Sequence, residues 1–149
     1  MRSPFTLLGW AALACYLLTI AVIVFWPVHV DAGEPSRVLQ ELLHTGYGSG
    51  LLPRWFGYAQ VEWLSNVLIF VPGGLLFTLL LRPTRSWLVP LGGLGATLFI
   101  ETTQHFMPGR TSSLLDVLAN SLGCAIGWVV GLVVLHVVLK PTQTLKECV

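Results

Sequence analysis

Four apolar stretches decide what this chain can fold into: residues 5–26, 61–81, 87–107 and 114–139. Each is close to the ~20 residues required to cross a bilayer core ~30 Å thick. The rest of the composition agrees. Only 10% of the 149 residues are charged and 54% are hydrophobic, whereas a soluble domain averages roughly 25% charged. Water is therefore not the main solvent of this surface. The length suits one domain, expected to be an all-α, four-helix transmembrane bundle. A formal net charge of +1 gives no case for nucleic acid.

The first stretch invites comparison with a cleaved signal, since Arg2 supplies a basic start and Val30 and Ala32 loosely fit a small-residue cleavage site. Its apolar run exceeds the 7–15 residues of a signal core, so it reads as a retained helix. Cys15, Cys124 and Cys148 show no C-x-x-C spacing, and no disulfide framework, zinc site or thiol motif follows from them. Nucleotide-binding glycine motifs and a nucleophile elbow are also absent, and no cofactor is implied.

Basic residues near helix ends set orientation. With the N-terminus in the cytoplasm, Arg2, Arg82, Arg85, Lys140 and Lys146 fall inside and Arg37, Arg54 and Arg110 outside. Five against three favours both termini in the cytoplasm. The outer loop, 27–60, then contains Val38, Leu39, Leu42 and Leu43 at helical spacing behind a candidate cap at Ser36, followed by Trp55, Phe56 and Tyr58. This pattern suits a short amphipathic helix lying at the headgroup level; an ordinary ordered connection fits as well.

Gly123, Gly127 and Gly131 recur every four residues on the fourth span. Such a stripe lets two helix backbones approach closely in lipid. Gly73, Gly74, Gly92, Gly93 and Gly95 suit the same role on spans two and three.

Polar residues gather at one end. Glu101 and Gln104 share a face near the end of span three, Pro108 and Gly109 make a turn, and Asp116 and Asn120 open span four one helical turn apart. Glu62 and Asn66 lie on one face at the start of span two. Alternating helices bring all of these, with Arg110, to one level. Several have structural explanations. Ser113 and Asp116 fit a capping box, Arg110 could brace the hairpin through Glu101 or Asp116, and His105 beside Phe106 reads as interfacial rather than as a ligand. Glu101 and Asn120 are harder to explain so. A charged group near a helix centre costs about 2.5–3.5 kcal/mol on insertion scales, and such residues face the protein interior or a wet cavity.

The patterns N-x-x-x-F-x-P-x-G (Asn66 to Gly74), E-x-x-Q (Glu101 to Gln104), Arg110, and D-x-x-x-N-x-x-G (Asp116 to Gly123) follow one another in the sequence. In order, spacing and helix placement the chain resembles the VanZ-like family of membrane proteins. The resemblance implies a small multi-pass protein of the bacterial cytoplasmic membrane and cell envelope. It also brings in antibiotic resistance, because the family is named for a member associated with resistance to the lipoglycopeptide teicoplanin. Some relatives carry a second acidic residue ahead of the aspartate, where this chain has Ser113 and Leu115.

The leading expectation is an outward-facing polar pocket built from Asn66, Glu101, Gln104, Arg110, Asp116 and Asn120. It would bind a lipid headgroup, a lipid-linked envelope precursor or a lipoglycopeptide, with Arg110 gripping an anionic group in two-point fashion. The alternative is an enzyme acting on a polyprenyl phosphate or similar lipid, with Glu101 or Asp116 as general base and Arg110 stabilising charge. A third is a structural protein whose polar end locks three helices. The residues offer no metal triad, and none of them sets an oligomeric state.

Overall fold

A computed structural model describes residues 4–25, 34–81, 83–108 and 112–139. Among the described residues, five α-helices follow one another: α1 (Pro4–Val24), α2 (Glu34–Gly48), α3 (Tyr58–Leu80), α4 (Leu88–His105) and α5 (Leu114–Leu139), with a 3-10 turn at Pro83–Arg85 between α3 and α4. No strand occurs among the described residues. Helices α1, α3 and α5 are long and apolar enough to cross a membrane. The fourth expected span is present as α4, but it is not one of these. It has 18 residues and ends in Glu-Thr-Thr-Gln-His, which lowers its mean hydropathy. Leu8, Leu18 and Leu68 are each 68% exposed, so the outer faces of α1 and α3 are apolar, as lipid-facing surfaces are.

The broadest contact is between α3 and α5, and small residues make it. A Cβ on Gly123 would collide with the Val67 carbonyl, one on Gly127 with that of Val71, and one on Gly74 with that of Cys124. Gly131 faces Thr78 in the same way. Lipid gives helices no hydrophobic reason to associate, so van der Waals contact between close backbones has to hold them. Gly93 packs on the Cys124 side chain. Gly92 and Gly95 differ from that expectation, since a Cβ at either would meet nothing within 4 Å.

Helix α1 docks on α3 at a weakened turn. Pro72 lies inside α3 and has no N–H for the carbonyl four residues back. One residue along, the Tyr16 hydroxyl donates to the Ile69 carbonyl at 3.0 Å. Gly73 leaves room for that ring, because a Cβ there would sit 2.7 Å from the Tyr16 oxygen.

Helix α2 begins at Glu34, two residues before the expected cap at Ser36, so Ser36 lies within the first turn. Its link to α3 is compact: the Tyr47 hydroxyl donates to the Phe56 carbonyl at 2.7 Å, and Gly50 turns the chain at φ +72°. Gln60 Oε1 accepts the Gly57 N–H at 2.8 Å and so closes the start of α3. Arg2, Val30, Ala32, Arg82, Lys140, Lys146 and Cys148 lie outside the described residues.

Candidate functional site

The polar residues of the sequence gather where α3 starts, α4 ends and α5 starts. On α4, Thr97, Glu101 and Gln104 follow at helical spacing and all three are buried. Glu101 is four residues from the end of α4, about 6 Å at a 1.5 Å rise. On α5, Asp116 and Asn120 are one turn apart.

Each side chain bonds a partner outside its own helix. Asn66 Nδ2 donates to Asp116 Oδ1 at 2.9 Å, joining α3 to α5. Glu101 Oε2 accepts the Ser113 N–H at 2.9 Å, joining α4 to the residue before α5. A carboxyl group beside the free amides of a helix start also meets the positive end of the helix dipole. Asn120 Nδ2 donates to Thr97 Oγ1 at 3.0 Å, a second α5–α4 bond one turn deeper. Gln104 Nε2 donates to the Val24 carbonyl at 3.0 Å and ties α4 to the end of α1.

The Ser113–Asp116 pair divides its work. Ser113 Oγ accepts the Leu115 N–H at 3.1 Å, a cap of the first turn, while Asp116 reaches across to Asn66. Gln104 departs from the expected ring by turning toward α1. His105 is exposed, with its ring edge-on to Phe106. Arg110 and the turn residue Gly109 lie outside the described residues, and so does the expected grip of Arg110 on Glu101 or Asp116.

One polar atom here has no partner among the described residues. Asn120 is only 5% exposed, and its Oδ1 is buried without a hydrogen bond. Exchanging the amide oxygen and nitrogen would not remove the problem, because Thr97 can serve only one of them. A buried polar group left unpaired costs about 1–3 kcal/mol. Farther along α5, Ser121 Oγ and Trp128 Nε1 are also buried and unpaired. Sequence reasoning missed Thr97, which lies one turn before Glu101 within an apolar run. It also missed Tyr16, the lone tyrosine of α1.

A cavity of about 380 Å³ lies elsewhere, between α1 and α4, and none of the five described site residues, Asn66, Glu101, Gln104, Asp116 and Asn120, lines it. Phe70, Gly73 and Phe77 of α3 form its floor, with Tyr16 and Ile20 on one wall and Val89 and Ile100 on the other. Among the described residues, no three His, Cys, Asp or Glu side chains gather closely enough to hold a metal ion.

In comparison with known families, the chain matches the family described as VanZ/LLP1 over residues 13–136. No curated protein matches the chain, and no solved structure does.

Proposed function

Because the chain belongs to the VanZ/LLP1 family, and because three apolar helices fit a membrane protein, we propose that its polar end binds the headgroup of an envelope lipid or lipid-linked precursor, a lipoglycopeptide being a further candidate. The observation that carries this reading is the unpaired, buried Oδ1 of Asn120. Such an acceptor in a low-dielectric interior calls for a donor, and a hydroxyl or amide of a ligand supplies one. Glu101 and Asp116 flank it on α4 and α5, held by Ser113 and Asn66. Arg110 completes the site by gripping an anionic group.

In this reading the protein sits in the bacterial cytoplasmic membrane with both termini inside. Helix α4 crosses as a fourth span. Its 18 residues extend about 27 Å, which nearly covers a core of ~30 Å. Helix α2 and the Trp55–Tyr58 segment rest at the outer headgroup level, where aromatic rings are favoured.

The test is Asn120→Leu, which removes the acceptor and keeps the volume. Native mass spectrometry with an added polyprenyl-diphosphate-linked sugar should show binding to the wild type and a loss of about tenfold or more in the variant, the equivalent of one missing buried hydrogen bond. Thermal stability should change little, since the variant loses the bond to Thr97 together with the unpaired Oδ1. Undiminished binding by the variant would leave the polar end a structural lock only. Arg110→Lys should also weaken binding, because a point charge cannot copy the planar guanidinium fork.

The enzyme reading has an observation of its own, since each carboxyl group is oriented by a neighbour's N–H, as a general base must be. Phosphate release from a polyprenyl phosphate, abolished in Asp116→Asn, would move the conclusion to it.

A further inference from the structure

The cavity between α1 and α4 has none of the described polar-end residues in its lining, and its walls say what can fill it. Its described polar groups are already engaged: the Tyr16 hydroxyl is donated to the Ile69 carbonyl, and the Cys124 thiol points at the Val89 carbonyl at 3.6 Å. Apart from the Trp10 indole at the open end, what remains facing the space is hydrocarbon and glycine. At about 380 Å³ it falls in the size range of ligand pockets, roughly 300–1,000 Å³.

The space has a closed end and an open side. One turn beyond the lining residues Ile100 and Ile20, Gln104 donates to the Val24 carbonyl and draws the two walls together. Along the side, Leu17, Gly92 and Ala96 line the cavity yet are exposed. At the far end Trp10 (39%) and Leu88 (41%) are exposed lining residues too. A Cβ on Gly92 would meet nothing, so no atom of the described residues fills the opening there. An apolar wall without neighbours forfeits its dispersion contacts, and at this depth the surrounding medium is lipid chains.

The open end also carries a charge. Leu81 and Leu88, both lining residues, bracket the Pro83–Arg85 turn, and Arg85 on that turn is exposed. A guanidinium at the level where a lipid headgroup begins attracts an anionic lipid.

We propose that this groove is a binding site for one acyl chain of an anionic phospholipid, drawn from the leaflet at the Pro83–Arg85 end, with the lipid phosphate at Arg85. The chain enters between Trp10 and Leu88, passes Gly92 and Ala96, and stops below the Gln104–Val24 bond. The lipid is thereby a wall of the protein, filling the space between α1 and α4 that the Gln104–Val24 bond leaves open.

The experiment uses the full chain in vesicles of phosphatidylcholine and phosphatidylglycerol in equal parts. A phosphatidylglycerol probe carries a diazirine in mid-chain, and mass spectrometry of the peptides reads the photolabel. Labelling is expected on α1 and α4 residues of the groove in the wild type. Gly92→Leu fills the opening and should abolish it. Gly95→Leu is the matched control: it adds the same bulk on the same helix where a Cβ also meets nothing, at a residue outside the cavity lining. That variant should label as the wild type does. Arg85→Ala should reduce labelling by the phosphatidylglycerol probe to the level of a phosphatidylcholine probe. Equal labelling of the two glycine variants overturns the site. Equal labelling of the wild type by both probes overturns the anionic assignment. Cross-links between two copies at Gly92 would give the groove to a second chain and overturn it as well. Lost precursor binding in Asn120→Leu touches none of these outcomes, so the two proposals fail separately.

Discussion

Replacing Gly127 by alanine should weaken the protein, and replacing Gly92 by alanine should not. The two positions share a residue type and a helical backbone but differ in what a new methyl group meets. At Gly127 it meets the Val71 carbonyl, with the Leu75 nitrogen 2.7 Å away. Backbone atoms cannot rotate aside as a flexible side chain can. At Gly92 it meets nothing within 4 Å. Alanine gains about 0.8–1.0 kcal/mol over glycine in a helix interior, and this term applies at both sites. Overpacking at Gly127 costs about 1–3 kcal/mol, so the net change there runs from near zero to about 2 kcal/mol unfavourable. Gly92→Ala should instead be stabilised by up to about 1 kcal/mol. The difference between the two variants cancels propensity and isolates the clash, at about 1–3 kcal/mol or roughly 5- to 150-fold in the unfolding equilibrium. Reversible unfolding by SDS titration in mixed micelles, followed by tryptophan fluorescence, reads it. Equal shifts of the same sign at both positions would refute the close α3–α5 approach as the source of stability.

Thr97→Val should cost about 1–3 kcal/mol in the same assay, because it strips the Asn120 amide of its remaining bond; adding Asn120→Leu should recover most of that loss. Gln104→Leu removes the α4–α1 tie and should cost about 0.6 kcal/mol, the average for such bonds in membranes. It should raise hydrogen exchange at the end of α1 more than in α5. For topology, a cysteine at Gly48 should react with an impermeant maleimide in intact cells and one at Thr84 should not; the reverse pattern would invert the assigned orientation.

The helices were legible in the sequence because apolar length is a direct consequence of crossing lipid, and α5 keeps the bounds read from it. The end of α4 was not. Phe106 and Met107 are apolar and extend the hydrophobic run, yet the helix stops at His105. Pro108 disfavours helical backbone in the residue before it, and the Phe106 N–H falls back on Thr103 in a tightened last turn. At the polar end, spacing placed Asn66, Asp116 and Asn120 on shared faces but could not name their partners. Thr97 was hidden because a lone threonine in an apolar run ordinarily bonds its own helix, as Thr78 does with the Gly74 carbonyl at 2.7 Å. Gln104 was misplaced because three residues turn a helix through all but about 60° of a circle, enough to aim it at α1 instead of α5. The groove had no signature at all, since Gly92 and Gly93 look alike in sequence and differ only in which neighbour stands opposite.

The pairing of α3 with α5, across an intervening α4, sets an order on biosynthesis. Leu80 ends α3 and Leu139 ends α5. At 5–20 residues per second, α3 spends roughly 3–12 s in the bilayer before its main partner is complete. During that interval it must tolerate lipid on the face that Gly123, Gly127 and Gly131 will later cover. Thr78, in the last turn of α3, is prepared for the wait, because its hydroxyl is satisfied by its own helix and does not recruit a wrong neighbour. Asn66, which does need a partner from α5, stands two turns from the start of α3, where headgroups and water can serve until Asp116 arrives.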